Sequence, residues 1–382
     1  MENKPKCYAP YLGVFYRTNN NRISPCCQYL EHSDPNEYDW QKVANDVELG
    51  EESKNCVTCY DREKYGKTSL RHSFDKYKES FAPDWKSGFK PVYADVRTSN
   101  FCNLQCNMCS PLDSSKIESF VKLNPQMEKY FKEVGKDFKN QAVNVPVANL
   151  EDLKVLKVAG GEPTIDPMCK KFLDQVCYEH ITSDMDLWVT TNATKMIPFL
   201  QTYKPKFRKL CVTLSLDATG DILEFIRYPA RWKDIESNIN DAIEQELCDD
   251  MNVNIVVQPY NLLTLKQWLP WFSEFRKRVP RTKIVFLECT TPKHFSLRAM
   301  PNVAKDAVRA SVQELRTSLD NMDDKLDELD KMLDKSEYKR EYHQILLEYT
   351  DDIAVTRGMG SVYDKFPEFN VLKVDILKSS GT

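Results

Sequence analysis

Residues 92–109 read VYADVRTSNFCNLQCNMC, and this stretch decides how the rest of the chain is understood. Val92–Val96 is a short run of β-branched and aromatic residues that predicts a strand. Directly after it come Cys102, Cys106 and Cys109, three thiols spaced C-x3-C-x2-C in one loop. Three thiolates so placed can hold three irons of a cubane cluster and leave the fourth iron open to a substrate or cofactor. Structural zinc sites collect four ligands from paired knuckles, and no fourth cysteine stands near this triplet. A zinc site completed by a distant histidine, or thiols that are merely buried, are the alternatives.

A second run, Leu156-Lys157-Val158-Ala159, ends in Gly160-Gly161-Glu162-Pro163. Paired glycines at a strand's carboxyl end let the backbone approach a ligand closely, and Glu162 offers an acceptor for an ammonium group. Further strand-like runs follow at Leu187–Thr190, Leu210–Leu216, Val253–Val257 and Ile284–Leu287. Helical patterns lie between them at Ser114–Val121, Met168–His180, Trp232–Gln245 and Leu265–Arg278. Strand–helix alternation of this kind argues for parallel βα units. Six such strands, counting Val92–Val96 and Val155–Val158, fit a partial six-stranded α/β barrel over residues 91–300, although a doubly wound sheet would give the same count.

The whole chain has 382 residues with 53 Lys+Arg against 57 Asp+Glu, a formal net charge of −4. Its 41% hydrophobic content is enough for a real core and excludes disorder as the dominant state. Mild acidity argues against electrostatically driven nucleic-acid binding. No run approaches the ~18 apolar residues of a membrane span, and Met1–Lys4 is not followed by an apolar signal core. A cytoplasmic address is therefore expected. Thirteen cysteines in such a chain point to reduced thiols, some of them metal ligands.

Residues 1–90 are polar and weakly periodic, with Asn19-Asn20-Asn21 reading as a turn between Tyr11–Tyr16 and Arg22–Ser24. So little core needs a staple, and Cys7, Cys26 and the knuckle Cys56-Val-Thr-Cys59 can supply one. Four cysteines suit Zn²⁺ or a 4Fe–4S cluster equally, and Cys27 could replace Cys26. Cys169, Cys177, Cys211, Cys248 and Cys289 read as small buried hydrophobes, with Cys289 the best placed to act as a hydrogen donor. The five histidines show no ligand spacing. Tyr260 and Arg298 fall near strand ends and read as ordinary loop residues.

Residues 301–382 form a charged helical extension. Val308, Val312, Leu315, Leu319, Met322, Leu326, Leu329 and Leu333 recur at alternating intervals of four and three. That is a 3.5-residue period, which fits a coiled-coil arm or, as preferred here, an amphipathic helix folded back on the chain or on a helix near Tyr338–Tyr349.

The triplet and the Gly-Gly-Glu-Pro strand end together resemble the radical S-adenosylmethionine (SAM) superfamily. The resemblance implies that Cys102, Cys106 and Cys109 bind a 4Fe–4S cluster whose open iron chelates SAM, with Gly160, Gly161, Glu162 and Pro163 at the methionine amino group. One-electron reduction, from a donor such as flavodoxin or ferredoxin, then gives methionine and a 5′-deoxyadenosyl radical. Thr191-Asn192-Ala193 and Ser215-Leu216-Asp217-Ala218 look like other strand ends of that family. By this likeness Asn192, Ser215, Asp217 and Arg227 are expected at SAM, Asp217 and Arg227 otherwise forming a surface ion pair. Met108, Ala193 and Ala218 depart from the family's usual aromatic and glycines.

The amino-terminal cysteines resemble the auxiliary-cluster modules called SPASM or twitch domains, here preceding the barrel. This implies Cys7, Cys26, Cys56 and Cys59 as ligands of a second iron–sulfur cluster suited to electron transfer. The function so implied is oxidation of a peptide or protein side chain by hydrogen abstraction, with the second cluster accepting an electron. A dehydrogenation or epimerisation of a sugar, aminocyclitol or nucleotide-like metabolite is the runner-up. A zinc-stapled interaction protein, binding a partner through its 308–333 stripe, is the reading from a different class.

Overall fold

The computed structural model describes residues 5–17, 21–48, 52–64, 66, 68–134 and 151–374. Among them, eight strands form one sheet: β1 (Gly13–Arg17), β2 (Arg22–Ser24), β3 (Tyr93–Arg97), β4 (Val155–Ala159), β5 (Asp186–Thr191), β6 (Lys209–Ser215), β7 (Asp250–Val257) and β8 (Ile284–Glu288). Their order is β2-β1-β3-β4-β5-β6-β7-β8, and every pair is parallel except β1 with β2.

The six expected strands are β3–β8, found within a few residues of the runs that announced them. The sheet is nevertheless eight-stranded, because the amino-terminal segment adds a hairpin to it. Val14, Phe15 and Tyr16 make a strand-forming run, and β1 covers what would otherwise be the bare edge of β3. It pairs in register from Gly13 with Tyr93 to Arg17 with Arg97. Asn19 and Asn20 of the expected turn lie outside the described residues, while Asn21 takes a left-handed φ of 49°.

Strands β6 and β7 alternate buried and half-buried residues along their length. One face, with Val96, Val158, Val189, Val212 and Val253, is packed into the main core together with the helices Pro167–Glu179, Trp232–Glu244 and Leu265–Arg278. The other face is polar and carries Asp95, Lys157, Thr213, Asn252 and Asn254 in half-buried or buried positions. Parallel sheets usually bury both faces, so a half-open polar face is where a ligand has room. Part of it is closed by the helix Leu70–Phe81 of the amino-terminal segment. The backbone N–H of Ser69 donates to His72 Nδ1 (3.2 Å) at the helix start. Phe74 and Tyr77 recur on one side of the helix; Tyr77 stacks on Tyr93 (5.0 Å, 14°) and meets Trp188 edge-on.

The 3.5-residue stripe is buried inside the molecule and does not form a single helix. It is divided between Asn302–Arg316 and Asp323–Lys335, with a break where Thr317 and Ser318 turn their hydroxyls back to the carbonyls of Glu314 and Leu315. Val308, Val312, Leu315, Met322, Leu326, Leu329 and Leu333 are all buried, and Leu319 packs against the same core. Arg316 bridges the two helices to Asp327 (2.7 Å) and Asp330 (2.9 Å). The longer helix Arg340–Thr356 then returns toward the cysteine loop.

Candidate functional site

Beyond β3 the chain leaves the sheet as a loop whose backbone is pinned on two sides. On one side Ser115 N donates to Asn100 O (2.7 Å), and the Ser114 hydroxyl, capping the helix Ser115–Leu123, donates to Leu104 O (2.7 Å). On the other, Gln105 N donates to Tyr228 O (2.6 Å) and Asn107 N to Ile226 O (2.8 Å). Cys102 and Cys106 are buried, and Cys109 is half-buried. Burial pushes the Cys102 thiol up to about 12. Cys106 is held below its ordinary value, first by a hydrogen bond from Cys109, whose own thiol is pushed up, and also by the nearby Arg227.

The Gly160-Gly161 strand end lies directly on this loop. Gly161 has φ 34°, and a Cβ there would sit 2.2 Å from Phe101 O, so only glycine permits the approach. Next to it Glu162 N donates to that same Phe101 carbonyl at 2.7 Å. The Glu162 carboxylate, expected as an ammonium acceptor, is buried and already takes four donors. Oε1 accepts from Thr164 N (3.1 Å), Thr164 Oγ1 (2.6 Å) and Thr191 Oγ1 (2.7 Å), and Oε2 from Asn192 N (2.6 Å). Burial raises its carboxyl, and those donors work against the rise. Glu162 therefore binds the ends of β4 and β5 together, with Pro163 buried beside it.

Asn192 reaches from the end of β5 into the cysteine loop, its Nδ2 donating to Asn103 Oδ1 at 3.0 Å. Ser215 ends β6 in a half-buried position. Asp217 and Arg227, expected at SAM or otherwise as a surface ion pair, form a buried pair. Asp217 is fully buried, its Oδ2 lies 2.8 Å from Arg227 Nε, and its Oδ1 accepts from Val256 N (2.8 Å). The pair is inside because Arg227 turns toward the loop, where its Nη1 comes within 3.9 Å of Cys106 Sγ. All these groups stand at the carboxyl ends of β3–β6, the side of a parallel sheet where ligands bind.

Sequence reasoning missed Asn103, Thr164 and, above all, Arg357, whose guanidinium donates to backbone carbonyls of the cysteine loop and of the segment beside it. Asn103, inside the triplet, and Thr164, directly after Pro163, lay where a local signal could have been sought; Arg357 did not.

The amino-terminal cysteines come together from three separate stretches. Cys7, Cys26, Cys56 and Cys59 line a single cavity with Tyr29, Arg71 and Phe74. Cys27 is not among its lining; its thiol stands within electrostatic reach of Asp95, Lys157 and Arg97 on the sheet. Burial lifts the Cys7 thiol to about 12 and that of Cys56 to about 11. Arg71 is fixed at the cavity wall by a two-pronged bond to Glu63 (2.9 and 2.6 Å) and lies over the Tyr60 ring. Among the described residues, no three His, Cys, Asp or Glu side chains converge closely enough to hold a single metal ion. Nor is any described helix long and apolar enough to cross a membrane.

With this geometry in place, comparison with known proteins is informative about the central portion. Residues 96–268 match the family model described as Radical SAM superfamily. No curated protein matches the chain. Among solved structures, anSMEcpe with bound AdoMet is similar at 16% identity over 60% of this chain and 60% of that one, with a TM-score of 0.40. Streptococcus suis SuiB bound to S-adenosylmethionine is similar at 12% identity over 80% of this chain and 68% of that one, with a TM-score of 0.35. SuiB bound to precursor peptide SuiA matches at 13% identity over 84% and 61%, with a TM-score of 0.33. The match to anSMEcpe thus takes in 60% of that protein's length. Residues 96–268, the part of the chain that matches the Radical SAM superfamily model, hold the cysteine triplet and the Gly-Gly-Glu-Pro strand end.

Proposed function

We propose that the chain is a radical SAM enzyme that oxidises its substrate by hydrogen abstraction, with a second iron–sulfur cluster as electron acceptor. The observation that carries this reading is the contact of the Gly161 strand end with the Cys102–Cys109 loop, made through Glu162 N and Phe101 O. The residues fit such a cluster: three thiols in one pinned loop, beside a strand end shaped to admit a ligand and with no fourth cysteine to close the set. Bound cluster and SAM would together supply one-electron cleavage of SAM to methionine and a 5′-deoxyadenosyl radical. Cys102, Cys106 and Cys109 would be the ligands, and Arg227 would set a positive charge beside Cys106. Gly160, Gly161, Pro163, Asn192 and Ser215 would form the rim that receives SAM. Glu162 and Asp217, bound to strand ends and to Arg227, would hold that rim in shape.

Cys7, Cys26, Cys56 and Cys59 would ligate the second cluster. A cubane keeps its four ligands on separate iron corners, which suits four thiols around one cavity that do not close on a single ion. Loss of one hydrogen atom to the radical, then of an electron to this cluster and a proton to a base, removes two hydrogens from the substrate. A peptide or protein side chain is the proposed substrate, and flavodoxin or ferredoxin in a reducing cytoplasm the proposed donor. A small metabolite is the second reading, favoured by the polar, half-open face of the sheet. An interaction protein displaying the 308–333 stripe is disfavoured, because that stripe is buried within the chain.

The test is iron and acid-labile sulfide per chain after anaerobic reconstitution. Two cubanes give about eight irons, falling to about four in the Cys102/Cys106/Cys109→Ala triple variant, with 5′-deoxyadenosine formation abolished. No iron in the wild type overturns the reading. If Cys56→Ala and Cys59→Ala leave product formation unchanged, the electron-acceptor role is lost.

A further inference from the structure

On the polar face of the sheet, two cations divide one buried acid. Asp95 is fully buried. Its Oδ1 accepts from Arg97 Nε at 3.0 Å and its Oδ2 from Lys157 Nζ at 3.0 Å. Strand register sets Asp95 opposite Lys157, and Lys157 opposite Trp188, so the three side chains share a face. The Trp188 indole N–H is buried and meets no acceptor among the described residues. Arg97 is held by packing along Gly160 and above the Phe15 ring. Arg17, in register with Arg97, adds a third cation, paired with Asp113 at 3.2 Å.

Tyr77 and Tyr93 also face this cluster, and burial pushes both toward their neutral forms. The groups gathered here are thus mainly donors and cations around a single carboxylate, on a face that is only half covered. The Trp188 indole is the buried donor that meets no acceptor among the described residues, and a donor desolvated unpaired costs up to several kcal/mol. Lys157 lies two residues before Ala159, the end of β4, or about 7 Å along an extended strand. A group bound at Lys157 is therefore within a small substrate's length of the strand ends.

We propose that Lys157, Arg97 and the Trp188 indole form an anion subsite that receives a carboxylate or phosphate group of the substrate and selects for acidic substrates. This rests on the radical-enzyme reading only in supposing that the substrate lies over the polar face. Arg97, already bonded through Nε to Asp95 and braced against Gly160, fixes the geometry; Lys157, a mobile point charge, adapts to the ligand. SAM carries a carboxylate of its own, and it is the competing source of the same chemistry.

The experiment measures thermal unfolding of the reconstituted full-length protein against inorganic phosphate and against acetate, with chloride at matched ionic strength as the reference. The wild type is expected to show a saturable rise in midpoint with either oxyanion and none with chloride. Lys157→Met and Trp188→Phe should raise the half-effect concentration by about tenfold, the worth of one charge-assisted or buried hydrogen bond, while Lys157→Arg should retain the effect. Trp188→Phe removes the donor while keeping an aromatic ring and Lys157, so it stays informative if Lys157→Met does not fold. Absence of an oxyanion-specific rise, or an equal rise in both variants, overturns the subsite. SAM binding is measured on the same variants. If Lys157→Met weakens it as much as it weakens phosphate binding, the anion is SAM's own carboxylate and the substrate assignment falls. Iron per chain separates the two readings, since an iron-free wild type defeats the radical proposal yet leaves the phosphate titration readable.

Discussion

Arg357 Nη2 donates to the carbonyl of Gln105 at 2.7 Å, tying the end of the helix Arg340–Thr356 to the residue before Cys106. Its Nη1 donates to Phe225 O at 2.9 Å, and its guanidinium lies 4.6 Å from the centre of the Tyr228 ring. One side chain thus spans the cysteine loop and the segment that carries Arg227. Arg357→Met would leave two carbonyls without their donor, at an expected cost of about 2 kcal/mol in urea unfolding. Positive charge near a cluster favours its reduced form, so the cluster proposed at Cys102, Cys106 and Cys109 should show a more negative midpoint potential in the variant by EPR-monitored titration. Arg357→Lys restores charge but not the fork and should recover the potential better than the stability. An unchanged potential in Arg357→Met would reduce the residue to a structural tie.

Much of the sheet was legible because each of β3–β8 announces itself locally, as a β-branched run followed by turn residues. The pairing of β1 with β3 was not, since the partners stand some eighty residues apart with nothing in Gly13–Arg17 to name its neighbour. Arg357 was invisible for the same reason: a lone arginine after a helix carries no local sign of a bond to Gln105. The stripe from Val308 to Leu333 was read correctly as buried spacing, but the break at Thr317–Met322 depends on side-chain-to-backbone bonds that periodicity does not register.

Ala193 and Ala218, both standing where the resembling family has glycine, turn out unequal. Ala193 takes φ 62°, a left-handed conformation, and Ala218 is not among the positive-φ residues. The Ala193 backbone is held there by Thr191 Oγ1, which accepts from its N–H at 3.0 Å, and by Asn238 Nδ2, which donates to its carbonyl at 2.8 Å. A left-handed alanine costs about 1–2 kcal/mol, and glycine's freer unfolded chain gives back up to about 1 of it. Ala193→Gly should therefore be neutral to about 1 kcal/mol more stable, and Ala218→Gly destabilising by up to about 1 kcal/mol. Denaturant midpoints of the two variants decide it, and equal shifts would remove the distinction.

Adjacent cysteines at 26 and 27 offer a sharper comparison. Cys26 lines the cavity with Cys7, Cys56 and Cys59, whereas Cys27 faces the charges on β3 and β4. Cys26→Ala should lower reconstituted iron by up to about four per chain, with the Cys102–Cys109 site still cleaving SAM. Cys27→Ala should leave the iron count intact. Loss of iron from Cys27→Ala instead would mean that the two residues exchange places on metal binding.

Stability should also respond to acid through His294. The ring is buried among Tyr130, Phe295 and Tyr349 at centroid distances of 5.8, 4.3 and 5.4 Å, and burial lowers its pKa to about 3. An unfolded histidine titrates near 6.5, so between these values the unfolded chain takes a proton that the folded one refuses. Its contribution is complete above about pH 6.5 and is lost at about 1.4 kcal/mol per unit as the pH falls toward 3. By pH 5 that amounts to about 2 kcal/mol, added to whatever the carboxylates contribute. His294→Phe keeps an aromatic ring and cannot titrate, so its unfolding free energy should fall less steeply than the wild type's between pH 6.5 and 5, by close to one proton in the linkage slope. Parallel slopes in urea titrations at pH 7.5, 6 and 5 would show that His294 protonates in the folded state, and that its aromatic enclosure opens readily to water.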